Sequence, residues 1–192
     1  MKLQAAVASL VFCVTVPGMA RAEGAGSPPP RGGITAPKEA SSPGLATSRP
    51  RVEVTFVLDT TGSMGGLIDG AKRRIWSVAR RIAEGRPRPD LRIALVAYRD
   101  KGDLYVTQVH DFTSDMDTVY ARLMSFEAAG GGDTPEHVSA ALDDAVHHVS
   151  WSQAPGLKVV FLVGDAPPHM DYKDVPTIEE LCLTAVKAGT SL

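Results

Sequence analysis

From Val52 to Leu58 the chain is apolar or β-branched at nearly every position. A run with so little polar alternation fits a central strand covered on both faces. The period then changes. Leu67, Ala71, Ile75, Val78, Ala79 and Ile82 recur at spacings of three and four, which predicts a helix over Gly65 to Glu84 with one apolar face. Gly85, Pro87 and Pro89 end it. Leu91 to Tyr98 is a second apolar strand. A tight turn over residues 99–103 leads to a third strand from Leu104 to Val109, where Thr107 and Gln108 suggest a sheet edge. Asp115 to Phe126 reads as a second helix capped by Ser114 or Asp115. After the Gly130-Gly131-Gly132 loop, Thr134-Pro135-Glu136 opens a third helix with Pro135 at its first position. Val138, Leu142, Ala145 and Val149 form its buried face. Lys158 to Val163 is the fourth strand and Thr177 to Ala188 the last helix. Strands alternating with helices predict an α/β fold, doubly wound on a mostly parallel sheet with helices on both faces.

The amino-terminal region breaks this rhythm. Lys2, the short apolar run Ala5 to Val16 and the small-x-small sequence Ala20-Arg21-Ala22 read as a signal peptide over residues 1–22. The run is too short to span a membrane comfortably. The expectation is export to the periplasm or outside the cell, with no stable membrane insertion once the signal is removed. Residues 23–50 hold Pro28-Pro29-Pro30, Gly32-Gly33 and Ser41-Ser42-Pro43-Gly44 without apolar periodicity. This is expected to be a disordered linker, because it cannot bury enough surface to offset its ordering entropy. The folded domain is therefore expected over residues 51–192.

Charge excludes more than it assigns. Lys and Arg number 20 against 22 Asp and Glu. Loss of Lys2 and Arg21 with the signal would leave 18 against 22, a formal charge of −4. That balance gives no footprint for nucleic acid. Cys13 lies in the signal, so Cys182 is the only cysteine of the mature chain and cannot form an internal disulfide. It reads as a small apolar residue on the last helix.

The chemistry gathers at strand ends. Asp59 ends the first strand, and Thr61 and Ser63 follow at alternate positions in a glycine turn. Asp165 ends the fourth strand, and Thr134 precedes the third helix. Ligands of open α/β sheets bind beyond the carboxyl ends of strands where the strand order reverses. If the first and fourth strands are neighbours, these five residues share one crevice. Carboxylates and hydroxyls without sulfur or imidazole suit a hard cation, Mg²⁺, Ca²⁺ or Mn²⁺, rather than Zn²⁺. Ser63 lacks the glycine two positions before it that a hydrolase elbow needs, since Thr61 stands there. Gly65 and Gly70 have P-loop spacing, but Ala71-Lys72 follows in place of lysine and a hydroxyl residue.

The run Asp59-Thr60-Thr61-Gly62-Ser63, with Thr134 and Asp165 in order behind it, resembles the metal-ion-dependent adhesion site of von Willebrand factor type A domains. The resemblance spans about Arg51 to Leu192. It implies a Rossmann-like sheet and a divalent cation, Mg²⁺ foremost. Thr61 and Ser63 would bind the metal by their hydroxyls, and Thr134 would join directly or through water. Asp59 and Asp165 would act mostly through water and hydrogen bonds. It also implies a protein ligand that offers an acidic side chain, and no reaction. Domains of this kind usually continue with two more strands and a helix, so the chain is expected to be C-terminally truncated or a fragment. Val159 to Val163 would then form a bare apolar edge.

Other features stay open. The basic run Lys72, Arg73, Arg74, Arg80, Arg81, Arg86 and Arg88 reads as a solvated helix face or as a docking surface for an acidic partner. His169 and Asp171 lie in a proline-fixed loop beside the site, where they would shape partner choice or simply form a turn. Asp100 and Asp103, on the same side of the sheet, read as ordinary turn residues or as a source of negative field. A metal-dependent hydrolase with His169 as its base, or a structural component that metal merely stabilises, are the alternatives to a binding module.

Overall fold

The apolar run of the first strand pairs on both sides. β1 (Arg51–Asp59) lies parallel to β2 (Asp90–Tyr98) across nine residue pairs and parallel to β4 (Leu157–Val163) on its other side. The computed structural model describes residues 49–132 and 134–192. The expected signal peptide and all but residues 49 and 50 of the expected linker lie outside them. The chain divides into two units, residues 1–44 and 45–192, and the described residues belong to the second. Their sheet has the order β3-β2-β1-β4-β5, with β3 (Thr107–Thr113) antiparallel and the others, the two-residue β5 (Thr190–Ser191) included, parallel.

Both faces carry helices, as the continuous apolar strands require. Val54, Phe56 and Leu58 of β1 point to one face, with Ile93 and Leu95 of β2. There they meet Ile75 and Ala79 of α1 (Ile68–Ala83) and Val119 and Leu123 of α2 (Met116–Ser125). Val57, Val96 and Tyr98 point to the other face. They pack on Val138, Leu142 and Ala145, from α3 (Val138–Asp143) and the π-helical turn that extends it, and on Leu181 of α4 (Ile178–Lys187). Each Val, Leu, Ile or Phe among them, taken fully from water, contributes about 1.5–3 kcal/mol.

Four expectations need correction. The first helix does not start at Gly65. Gly62–Gly66 form a 3-10 turn first, which shifts the phase so that Met64 and Ile68 are buried and Leu67 is 54% exposed. The third strand runs over Thr107–Thr113 rather than Leu104 to Val109. Residues 104–106 are spent closing the turn: Arg99 N–H donates to Val106 O, and the Tyr105 hydroxyl bonds Thr60 Oγ1. The third helix begins at Val138, not Pro135. Residues 135–137 are held away from helix by Glu136, whose N–H donates to Pro167 O and whose carbonyl accepts from His169 N–H. Finally, the edge of β4 is partly covered. Gly189, in the left-handed region at φ 71°, turns the chain after α4 into β5 (Thr190–Ser191), which pairs with Lys158 and Val159. Above that point Leu162 remains 46% exposed.

Candidate functional site

The adjacency of β1 and β4 brings the two strand ends together. α1 leaves β1 towards one face and α4 leaves β4 towards the other, so a crevice opens between them. Asp59 lies at its floor with no exposed surface. Its Oδ1 accepts from Thr61 N–H at 2.9 Å and from Thr61 Oγ1 at 2.7 Å. Thr61 Oγ1 is 3.0 Å from Ser63 Oγ, which donates to Asp165 Oδ1 at 2.9 Å. Four of the five residues thus form one chain of hydrogen bonds from the end of β1 to the end of β4. The fifth is apart. Thr134 is exposed and makes no hydrogen bond to the other four.

Close packing at Gly164 permits this floor. A Cβ there would collide with the Tyr98 hydroxyl and stand 3.1 Å from Asp59 Oδ2. Tyr98 and Asp59 share a cramped, dry corner, and burial followed by the Asp59 charge pushes the Tyr98 phenol well above its usual range. The hydroxyl influences the carboxylate, but Asp59 Oδ2 makes no hydrogen bond of good geometry. Burial raises the Asp59 carboxyl above its ordinary value and the Asp165 charge adds to this, while the two bonds from Thr61 act the other way.

Sequence reasoning missed Glu136. Its side chain is 2% exposed, and among the described residues Oε2 has no hydrogen-bond partner. Burial first, and then the charge of Asp59, push its pKa up to about 7; a hydrogen bond from Thr61 opposes this, and the charges of Asp100 and Asp103 add to the rise. The only sequence signal was its place two residues after Thr134. An acidic residue there looked like an ordinary first-turn residue of a helix that in fact starts later.

The loops around the crevice are tied by residues far apart in sequence. Arg99, nearly buried, donates from Nε to Thr60 O and from Nη2 to Glu127 O. Ala129 N–H also donates to Thr60 O. Gly130 is at φ 74°, and a Cβ there would run into the Asp103 carboxylate, which accepts from Gly131 N–H. Tyr172 donates to Asp100, stacks on His169 with ring centroids 4.0 Å apart, and lies beneath Lys101 Nζ at 3.9 Å. His169 Nδ1 is 2.8 Å from Asp171 Oδ1, and Nε2 lies 3.6 Å from Asp100 Oδ2. Asp100 and Asp103 are therefore more than turn residues: they anchor the two loops that frame the site.

The donor set fits a hard cation. Among the described residues Asp59 Oδ2 and Glu136 Oε2 are buried carboxylate oxygens without a hydrogen-bond partner, a costly arrangement unless positive charge comes near. Among the described residues no three His, Cys, Asp or Glu side chains are placed to chelate a metal by themselves. Binding here would draw on the Thr61 and Ser63 hydroxyls and on water, as suits Mg²⁺. Cys182 is half-buried on α4, and His147 and His148 are exposed and paired with Asp143 and Asp144, away from the crevice. Among the described residues no helix is long and apolar enough to cross a membrane.

A family profile described as von Willebrand factor A domain matches residues 53–187. The chain is similar to von Willebrand factor A domain-containing protein 7 of Rattus norvegicus, with 39% identity over 122 residues, and to that of Homo sapiens, with 38%. Each alignment covers 62% of this chain, but the chain spans only 12% of the length of these relatives. Among solved structures, proximal thread matrix protein 1 from the mussel byssus aligns over 74% of this chain and 35% of its own, with TM-score 0.59 and 15% identity. The pilus adhesin SpaC from Lactobacillus rhamnosus GG, in its open conformation, aligns over 64% and 15%, with TM-score 0.51 and 15% identity. At that identity the likeness is one of fold.

Proposed function

The chain belongs to the von Willebrand factor A domain family, whose members typically mediate protein–protein interaction, and from that premise we propose that it is an exported module that engages a partner protein's acidic group through a divalent cation. The observation that carries this reading is the pair of buried, unpartnered carboxylate oxygens behind the Thr61–Ser63 turn. Thr61 and Ser63 hold the cation by their hydroxyls. Thr134 completes the rim, and Asp59 and Asp165 orient those groups and supply negative charge. A bound divalent cation, Mg²⁺ foremost, leaves positive charge at the mouth of the crevice, where a carboxylate can complete its shell. Few charged ligands in the protein leave that demand unmet.

The role is binding rather than catalysis. His169, the base that the sequence offered, is committed to Tyr172, Asp171 and Asp100. The export reading rests on the leader-like residues 1–22.

The test is manganese binding followed by electron paramagnetic resonance. The free-Mn²⁺ signal falls on titration with wild-type protein, and not with Asp59→Ala, while circular dichroism reports both folded. Mg²⁺ restores the signal by competition. A wild-type protein that leaves the free signal unchanged would contradict the proposal.

A further inference from the structure

The opposite end of the sheet has a surface that the cation site does not use. α1 runs antiparallel to β1, so its last turns descend to the amino ends of the parallel strands. Three grooves meet there. The largest, about 820 Å³, is bordered by Trp76, Arg80, Arg86, Arg88 and Met116. A second of about 210 Å³ shares Trp76 and Arg80 and adds Arg73 and Arg81. A third of about 280 Å³ shares Arg88 and Met116 and reaches Arg49. The three adjoin at these shared residues and together make up one basic trough.

Its charge is unbalanced and unspent. Among the described residues Arg73, Arg81, Arg86 and Arg88 are exposed and have no ion-pair or hydrogen-bond partner, while Arg80 pairs with Glu84 at 3.1 Å. Arg73 and Arg80 are seven residues apart, about two turns or roughly 10 Å along one helix face. Between them Trp76, half-buried against Tyr120 at 4.9 Å, gives the trough an apolar floor with Ala83 and Met116. Arginine forks bind carboxylates with two parallel hydrogen bonds.

We propose that this trough is a second docking surface, for an extended acidic segment of a partner protein whose carboxylates alternate with apolar side chains. Its carboxylates suit the unpaired arginines, and its apolar side chains suit the floor of Trp76, Ala83 and Met116. A continuous phosphate backbone fits less well, because it would set charges opposite Glu84, Asp90 and Asp117, which a segment with spaced carboxylates avoids. The two ends of the domain then select acidic partners by different means, one through a cation and one through arginine.

The test is fluorescence anisotropy of a labelled peptide that alternates glutamate with leucine, titrated with the full chain in the presence of a chelator. The peptide binds, and added salt weakens binding as the Debye length shrinks. The double variant R86E/R88E binds about tenfold or more weakly and melts close to the wild-type temperature, since both arginines lie beyond the helix and neither is paired among the described residues. Asp59→Ala binds as wild type, which separates this surface from the cation site. Absence of binding to the wild type, equal binding by the double variant, or tighter binding of a single-stranded oligonucleotide of equal charge would overturn the proposal.

Discussion

The two walls of the crevice are built on different principles. The β1 wall is local: Asp59, Thr61 and Ser63 lie within five residues, and their hydrogen bonds close on each other. The opposite wall is assembled from a distance. Asp165 is reached by Ser63 across 102 residues, Tyr172 finds Asp100 across 72, and Gly131 finds Asp103 across 28. The local wall is preorganised by its strand end, whereas the distant wall depends on every tie that holds its loops. Damage to the two walls should therefore have different signatures, and substitutions can separate them.

The largest effect is expected where the walls touch. Gly164→Ala drives a methyl group into Tyr98 and Asp59 together. Overpacking of this kind costs about 1–3 kcal/mol. Urea denaturation should show that loss, with cation binding impaired alongside. Wild-type stability in Gly164→Ala would mean that the floor is looser than the comparison requires.

Tyr172→Phe acts on the distant wall alone. It removes the donor to Asp100, whose carboxylate is nearly buried. The expected cost is about 1 kcal/mol or slightly more. Protease nicking in the 165–176 loop should rise, while amide exchange at Thr61 stays slow. Equal loss of protection at both places would show that the walls are one cooperative unit.

The smallest effect on stability belongs to Thr134→Ala. The side chain is exposed and makes no hydrogen bond among the described residues, so stability should stay within about 0.5 kcal/mol. Cation affinity should still fall, by about tenfold, as for other supporting groups of metal sites. Unchanged affinity would remove Thr134 from the site.

The same division explains what could be read from the chain. β1, β2, β4 and the faces of α1 and α3 were legible because continuous apolar runs and three-four spacing leave periodic marks. Asp59, Thr61 and Ser63 were legible because a strand end followed by alternate hydroxyls is a contiguous signal. Glu136, Arg99 and Tyr172 were not, because their partners are set by loop geometry that no local period records. The start of the third helix was misplaced for the same reason: Pro135 suits a first helical turn, but the backbone bonds of Glu136 to Pro167 and His169 prevail. β5 escaped notice because two residues are too short to show alternation.

The buried carboxylate at the end of β1 is kept for a cation. Asp59→Asn tests this most directly, because the amide keeps an acceptor for Thr61 and removes the buried charge. The measurement is melting temperature against Mg²⁺ concentration. Wild type should melt progressively higher as Mg²⁺ rises, by mass action on the folded state. Asp59→Asn should give a flat line that begins no lower than the Mg²⁺-free wild type, since burial disfavours the Asp59 charge. A flat wild-type line, or a variant that rises in parallel with it, would contradict the account.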